Sequence, residues 1–520
     1  MDVTCVIGHF GRYQAILLLT VFVVTFPVTF TFFSTPFFDT NLDRWCTRSS
    51  FQNSPWNFGE TVDDASNASG IEIFNCFESK LKLMVESNKS VNTSSEAEFL
   101  ACGEYQRWES LVSQPTTLCE DPWEQSARQA ALLVAVAFGY LVFGATSDVF
   151  GRRGCLLVSL LLSSVSSFTA AVAPVSWLFY TGRFLACMST AGLLLCTVIL
   201  FSEAAGRKHR SLLMFSLGAG FAVANLSFQA LTLYVNNWWY LQLSSGILML
   251  TVFPLLWFIQ ESPRWLITAG RLSRAEETVQ RILKVNRGPQ LYMEIIMLEL
   301  ADKVGMDFSK PQRKRRSRCG FARLRFHWLI LVTSAVATLV LRQSVRSTAS
   351  ILEKPRTAAV WNMELSLFVQ VPASLLFYWM AVRFKRRYCL ACLFALLSIV
   401  YVLSFCLLQG SSKVSTTLAL LVKVITSGQM VFLWLTAIEL FPTTSRGLGM
   451  GCFWACAHLG LLVAPVMSMA GVSELHPRLS SIVMATVGLA CTALDLFLPV
   501  THSHILPDTY QELRQFQSVS

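Results

Sequence analysis

The stretch GATSDVFGRRG, residues 144–154, places one carboxylate and two arginines between long apolar segments. Charged residues make up 14% of the chain and apolar types 53%, whereas a typical soluble domain carries roughly 25% charged residues. This composition is typical of a membrane protein. A short charged connection between two apolar segments therefore predicts a tight turn at a membrane surface, between two helices that cross the bilayer.

Apolar windows long enough to cross a bilayer occur on both sides of this turn. A hydrocarbon core about 30 Å thick needs about 20 helical residues. The sequence predicts an all-α membrane protein with twelve transmembrane spans at 16–36, 127–147, 154–173, 177–200, 211–235, 239–260, 327–345, 359–381, 388–409, 414–438, 449–471 and 479–499. Spans 2 to 6 fill 127–260 and spans 7 to 12 fill 327–499. The remaining ranges are an N-terminal segment at 1–15, a long loop at 37–126, a linker at 261–326 and a C-terminal segment at 500–520.

Basic residues are concentrated in the loops on one side of the predicted bundle. The connections after spans 2, 4, 6 and 8 contain GRRG, GRKHR, RKRRSR and RFKRR. Short basic loops face the cytoplasm, so we expect these loops and both termini there and the 37–126 loop outside. The net charge of +10 then describes a surface that faces anionic membrane lipid, which argues against nucleic acid as a partner.

The 37–126 loop carries the features of an extracellular segment. Its cysteines are even in number, as expected in an oxidising compartment. They predict two disulfides, with three possible pairings, among Cys46, Cys76, Cys102 and Cys119. Three sequons predict N-glycosylation, which requires exposure outside the cytoplasm, at Asn67, Asn88 and Asn92.

Loop motifs recur at nearly equal offsets in the two halves of the chain. The turn VRFKRR follows span 8, and Val382 occupies in it the position that Asp148 occupies after span 2. The motifs after spans 4 and 10, SEAAGRKHR and ELFPTTSR, each place a glutamate seven residues before an arginine. The offset from Glu203 to Glu439 nearly equals the offset from Asp148 to Val382. Two parallel six-helix repeats predict a transporter with a central site that opens alternately to each side.

The 261–326 linker is too polar to cross the membrane. In SRAEETVQRILKVN the apolar residues Val279, Ile282 and Leu283 recur at helical spacing, so we expect cytoplasmic helices that brace the two halves. The basic run RKRRSR further along the linker is interpreted as an anchor to the anionic leaflet.

These motifs resemble those of the organic cation, anion and zwitterion transporters of the major facilitator superfamily, over nearly the whole chain. The matching segments are GHFGRYQ before span 1, DRWC in the outer loop, SDVFGRR, GRFLACMSTAG, ESPRWL, ELFPTTSRGLGMG and LPDTYQELR. The resemblance implies a twelve-helix major facilitator fold with two pseudo-symmetric six-helix halves. It also implies a uniporter or exchanger of small charged organic molecules at the plasma membrane.

The resemblance further implies a gate of ion pairs at the inner face, which form and break during transport. We expect these pairs to be partly exposed and weak, each contributing about 0 to 1 kcal/mol. The gate residues are Asp148, Arg152, Arg153, Arg183, Glu203, Arg210, Glu261, Arg264, Glu439 and Arg446.

The second half departs from the family pattern more than the first. Val149 replaces an arginine, Val382 and Lys385 replace the acid and glycine of the second turn, and Val500 stands where an acid is usual. The inner gate of the second half is therefore short of carboxylates. Two interpretations stay open: a shifted resting conformation, or a chain that no longer transports.

Ionisable and aromatic side chains near the membrane midplane are candidates for cargo binding, because a charge there costs about 2.5 to 3.5 kcal/mol. We place five residues in this group: His458, Lys423, Arg342, Tyr140 and Trp434. By the resemblance, His458 stands where anion transporters carry an arginine and cation transporters an aspartate. Other interpretations are open: a neutral, hydrogen-bonded His458, an Arg342 that reaches the interface, and aromatic residues that only pack.

Carboxylates are scarce in the same region. Glu364 lies nearer the outer end, where it can pair with Arg342, and Asp495 is expected to reach water at the end of span 12. A cation site without a central carboxylate is hard to stabilise, so organic anions are the favoured cargo.

Two alternatives to an organic anion carrier stay open. One is a transport-deficient relative that acts as a receptor or accessory protein through its outer loop. The other is a cation or zwitterion transporter in which Glu364 is essential. An enzyme is not expected, because the sequence contains no GxxxxGK loop, no metal-binding cluster and no nucleophile with a matching base. No cofactor is implied, and no oligomeric state is indicated.

Overall fold

The described residues are mostly α-helical and contain no β-strand. A computed structural model describes residues 6–8, 10–34, 122–173, 176–207, 209–235, 238–288, 328–338, 356–407, 412–462, 477–498 and 506–508. Eight of the described helices are long and apolar enough to cross a membrane. Arg342 and the cysteines and sequons of the outer loop lie outside the described residues.

In the first half, the described ranges contain six long helices. They are α1 (Arg12–Phe33), α2 (Pro122–Phe150), α3 (Arg152–Val172), α4 (Ser176–Ala204), α5 (Leu212–Tyr234) and α6 (Trp238–Leu256). The turn between α2 and α3 is tight because Gly151 has a φ of 104°, a value that favours glycine. The Glu261 carboxylate lies against this glycine and leaves no room for a side chain.

Two short helices, α7 (Pro263–Thr268) and α8 (Leu272–Asn286), follow α6. The apolar residues Val279, Ile282 and Leu283 lie on the buried face of α8. At the end of α8, the Asn286 side chain accepts a hydrogen bond from the Tyr13 amide at 2.9 Å and donates one to the Ile7 carbonyl at 3.1 Å. These bonds fix α8 to the start of α1, and hence to the first half.

Six further helices are described in the second half. They are α9 (Trp328–Thr338), α10 (Arg356–Arg383), α11 (Arg386–Leu407), α12 (Ser412–Leu440), α13 (Arg446–Gly460) and α14 (Pro477–Asp495). A single 3-10 turn, Thr443–Ser445, separates α12 from α13. We call the end of the bundle that carries the α2–α3, α4–α5, α10–α11 and α12–α13 turns the basic end.

The two halves meet with their backbones in close contact near the basic end. A Cβ atom on Gly144 of α2 would lie 2.5 Å from the carbonyl oxygen of Gly447 and 3.0 Å from the Cα of Gly451, both in α13. A Cβ atom on Gly218 of α5 would lie 2.8 Å from the Ser374 side chain in α10. Only glycine allows this approach, so the halves are closed against each other at this end.

Candidate gate and cargo site

Two buried glutamates, one at the end of α4 and one at the end of α12, organise the basic end. Glu203 accepts hydrogen bonds from Arg152 of α3 at 3.3 Å and from Arg446 of α13 at 2.7 Å. Glu439 pairs with Arg210, which precedes α5, at 3.3 Å and with Arg386 of α11. These side chains are at most 4% exposed.

The ion pairs cross between the two halves. Glu203 and Arg210 belong to one loop motif, and Glu439 and Arg446 belong to its repeat in the second half. In the structure each glutamate pairs with the arginine of the other motif: Glu203 with Arg446, and Glu439 with Arg210. Two pseudo-symmetric ion pairs therefore join the halves, and both must break if the basic end is to open.

Asp148 adds a third connection between the halves. Its carboxylate accepts hydrogen bonds from the backbone amides of Gly447 at 3.0 Å and Leu448 at 2.8 Å, and it lies 3.2 Å from Arg152. The first amides of a helix lack partners within the helix, and its N-terminus favours negative charge. Asp148 of the first half therefore caps α13 of the second, which answers why an acid stands in GATSDVFGRRG.

Residues after α6 and after α14 complete the cluster. Glu261 accepts hydrogen bonds from the backbone amides of Arg152 at 2.8 Å and Arg153 at 3.1 Å, which caps α3. Arg264 donates to the Glu203 carbonyl at 3.2 Å and pairs with Asp508 at 3.3 Å. The Arg264–Asp508 pair is a further ion pair that joins the two halves.

The gate pairs are more buried than the sequence led us to expect. The expectation of partly exposed pairs is wrong, because the Arg152, Glu203 and Arg446 side chains are fully buried. Removing one partner of a buried pair leaves an uncompensated charge and costs about 3 to 5 kcal/mol. Loss of any one of these buried partners is therefore expected to destabilise the closed gate.

The sequence did not identify two of the gate residues, Arg386 and Asp508. Arg386 stands in the second turn where Arg152 stands in the first, as Val382 stands for Asp148, so the repeat itself contained the signal. Asp508 lies in the LPDTYQELR segment, for which no charge partner was assigned. Its partner Arg264 is far away in the sequence, so spacing alone gave no sign of the contact.

Arg183 does not belong to the inner gate, and that prediction is wrong. It lies near the start of α4, whereas Glu203 lies near its end, about 30 Å away at 1.5 Å per residue. The Arg183 guanidinium donates to Ser34 Oγ at 2.7 Å, to Gln242 Oε1 at 2.8 Å and to the Thr31 carbonyl at 3.3 Å. It therefore ties α4 to α1 and α6 at the opposite end of the first half.

An aromatic cluster lies further from the basic end than the gate does, and it joins the halves near the middle of the bundle. The rings of Trp434 in α12 and Trp454 in α13 are stacked, with centroids 4.3 Å apart. The ring of Tyr140 in α2 lies 6.3 Å from Trp434, 6.4 Å from Trp454 and 5.1 Å from His458. The structure thus brings together three of the predicted cargo residues, Tyr140, Trp434 and His458.

The structure shows the hydrogen-bonding state of two polar groups in this cluster, on His458 and Trp454. His458 Nδ1 lies 2.8 Å from the Trp454 carbonyl, and because a carbonyl only accepts, Nδ1 carries the proton. The indole Nε1 of Trp454 is buried and has no hydrogen-bond partner among the described residues. The cluster therefore holds one N–H donor that a bound molecule could satisfy.

Lys423 lies on the same face of α12 as Trp434. The two residues are eleven positions apart, close to three helical turns, which places Lys423 about 16 Å further from the basic end. Its side chain is half-buried. Lys423 thus lies on the far side of the aromatic cluster from the gate.

The predicted exposure of Asp495 to water is wrong. The sequence predicts that it reaches water, but it is fully buried and accepts a hydrogen bond from Ser334 Oγ of α9 at 2.5 Å.

Within the described ranges, no group of His, Cys, Asp and Glu side chains could hold a metal ion.

The chain is similar to known membrane transporters. The family described as Sugar (and other) transporter matches residues 87–504. Organic anion transporter 3 of Sus scrofa is 27% identical over 420 residues, which cover 78% of this chain and 74% of that protein. Solute carrier family 22 member 13 of Homo sapiens is 24% identical over 527 residues, which cover 99% and 93% of the two chains.

Solved structures confirm the predicted major facilitator fold. The proton:xylose symporter XylE bound to 6-bromo-6-deoxy-D-glucose superposes with a TM-score of 0.65 at 16% identity, over 96% of this chain and 99% of that chain.

Proposed function

The chain belongs to the sugar (and other) transporter family and is a multi-pass membrane transporter of organic ions rather than an enzyme; we propose that its cargo is organic anions, moved by alternating access of the two halves. We also propose that it works in the plasma membrane with both termini in the cytoplasm, so that the basic end is the inner end. The basic loops of that end support this orientation.

The crossed ion pairs carry the proposal of alternating access. Glu203–Arg446 and Glu439–Arg210 each join one half to the other, so they can persist only while the basic end is closed. Each glutamate also pairs with an arginine of its own half: Glu203 with Arg152, and Glu439 with Arg386. When the halves separate, neither carboxylate is left without a cation, which lowers the cost of opening.

The distribution of charge within the membrane helices supports an anionic cargo. The carboxylates described in these helices are Asp148, Glu203 and Glu439, which pair with arginines, and Asp495, which bonds to Ser334. Among the described side chains, none of these carboxylates lies beside the aromatic cluster. Lys423 supplies a positive charge on the far side of the aromatic cluster from the gate, and the Trp454 N–H, which has no partner among the described residues, supplies a donor within the cluster. The relative from Sus scrofa, named an organic anion transporter, agrees with this assignment.

Uptake by the purified protein in liposomes tests the proposal. We expect uptake of labelled aromatic and aliphatic carboxylates and sulfates, and no uptake of tetraalkylammonium ions. Lys423→Gln and Trp454→Phe each remove a donor to the anion and should raise KM by about tenfold, since a bond to a charged group contributes about 1.5 to 3 kcal/mol. Lys284→Gln changes an exposed lysine of α8 and should leave uptake unchanged.

The other outcomes separate the alternatives. Uptake of tetraalkylammonium ions, lost on Glu364→Gln, would replace the anion carrier with a cation or zwitterion carrier. If a folded protein transports neither charge class, the chain is better described as a receptor or accessory protein.

A further inference from the structure

The turn between α10 and α11 is a modified copy of the turn between α2 and α3. Val382 occupies the position of Asp148, and Lys385 occupies the position of Gly151. Gly151 has a φ of 104°, whereas Lys385 is not among the described residues with positive φ. The second turn therefore has a different backbone, and it presents a basic side chain where the first has none.

The basic residues of this second turn divide into two groups. Arg386 is buried and pairs with Glu439 as part of the gate. Arg383 and Lys385 are exposed, and Arg387 is half-buried. Arg387 donates a hydrogen bond to the Tyr388 hydroxyl at 2.8 Å, and its guanidinium carbon lies 4.7 Å from the centroid of that ring. Three cations that the gate does not use thus surround one short turn.

Three large aromatic side chains share the same surface. Trp379, Phe384 and Tyr388 are 55%, 49% and 44% exposed. The rings of Trp379 and Phe384 pack edge to face, with centroids 5.7 Å apart. The apolar surface continues along α10 through the exposed Leu375 and Leu376. In a membrane protein such a helix face contacts lipid, and aromatic residues at its end are typical of the headgroup level.

The first turn lacks this combination. Val149 and Phe150 are exposed there too, but Arg152 is buried in the gate and Arg153 is half-buried. Asp148, moreover, adds a negative charge. The second turn has lost the acid and gained Lys385, so its charge is complementary to an anion.

We propose that the aromatic-basic turn, formed by Trp379, Arg383, Phe384, Lys385, Arg387 and Tyr388, binds the headgroup of an anionic phospholipid in the leaflet at the basic end. Arg383 and Lys385 provide charge for the phosphate, and Tyr388 holds Arg387 in place through the bond and ring contact described above. Trp379 and Phe384 pack against the glycerol and upper acyl region. The lipid is the occupant because the turn continues the lipid-facing surface of α10. The proposal does not depend on the cargo.

Native mass spectrometry of the full-length protein in detergent tests the proposal, with dioleoyl phosphatidylglycerol or dioleoyl phosphatidylcholine added as the lipid. We expect the first phosphatidylglycerol to bind more tightly than the first phosphatidylcholine. Each basic side chain near an anionic surface contributes about fivefold. The triple variant Arg383→Gln, Lys385→Gln, Arg387→Gln should therefore lose about a hundredfold of the affinity for phosphatidylglycerol and little of that for phosphatidylcholine.

Two further variants keep the result interpretable. The matched control Arg274→Gln, Lys284→Gln, Arg287→Gln removes three exposed cations from the region of α8 and should retain the affinity. Val382→Asp removes no cation but places an acid in the turn, and it should weaken phosphatidylglycerol binding in the same direction as the triple variant. The proposal would be overturned if the triple variant and its control lost the same affinity for phosphatidylglycerol. It would also be overturned if the triple variant, or Val382→Asp, retained the affinity of the wild type.

Discussion

Glu203 of α4 lies 2.7 Å from Arg446 of α13, although the two residues are 243 positions apart and belong to opposite halves. Its pseudo-symmetric counterpart, Glu439 with Arg210, repeats the arrangement. The loop motif occurs twice, and each copy supplies the glutamate of one ion pair and the arginine of the other. The two pairs together hold the halves closed at the basic end.

Replacing Glu203 with Gln should open the basic end. The change leaves Arg152 and Arg446, both fully buried, without their shared carboxylate, so we expect the closed state to lose about 3 kcal/mol or more. Double electron–electron resonance between nitroxides at the exposed residues Lys284 and Thr444 measures the opening. The chain has 15 cysteines, so the labels are introduced as noncanonical amino acids. A population at longer distances is expected.

The matched control is Glu277→Gln, which removes a carboxylate from an exposed ion pair with Arg281 in α8. Exposed pairs contribute about 0 to 1 kcal/mol, so its distance distribution should equal that of the wild type. An unchanged distribution in Glu203→Gln would show that this carboxylate does not hold the halves together.

Arg210→Gln and Arg386→Gln should separate the two roles of Glu439. Both arginines contact the same carboxylate, but only Arg210 belongs to the other half. Both variants should lower the thermal unfolding midpoint, since each removes a buried partner. Only Arg210→Gln should lengthen the distance between Lys284 and Thr444. Equal opening in both variants would contradict the assignment of the lock to the pair that crosses the halves.

The sequence predicted the fold because helices and repeated halves leave periodic signals. Apolar windows of bilayer length specify helices, and the nearly equal offsets from Asp148 to Val382 and from Glu203 to Glu439 specify the two halves. The gate roles of Arg152, Glu203 and Glu439 came instead from the resemblance of their loop motifs to those of the transporter family.

What the sequence could not predict depends on contacts between distant segments. The periodicity of α4 does not show that Arg183 meets Ser34 and Gln242 at the end opposite to Glu203. Hydropathy also does not reveal that Asp495, near the end of its helix, is sealed from water by packing and bonded to Ser334. Burial and pairing of this kind are properties of the assembled bundle.

Gly144→Ala should interfere with closure of the basic end. The new Cβ would lie 2.5 Å from the Gly447 carbonyl oxygen, and this neighbour is backbone that cannot rotate away. We expect a shift toward the open basic end in the same distance measurement, together with slower uptake. Gly154→Ala is the control, because no described atom lies within 4 Å of the added Cβ. Wild-type behaviour of Gly144→Ala would mean that the two helices approach less closely during the cycle than in this structure.

Val382→Asp should strengthen the gate of the second half at the expense of lipid binding. In the first half, Asp148 lies 3.2 Å from Arg152, four residues later, and Val382 has the same spacing to Arg386. Arg386 is buried, and its Nε atom has no hydrogen-bond partner among the described residues. Because Val382 itself is exposed, an acid there can enter without a large desolvation cost and pair with Arg386, stabilising the folded state by up to about 1 kcal/mol. We therefore expect a higher thermal unfolding midpoint than in the wild type, whereas the control Val149→Asp, next to the existing Asp148, should give no increase. A lower midpoint for Val382→Asp would mean that the different backbone of the second turn keeps the acid from reaching Arg386.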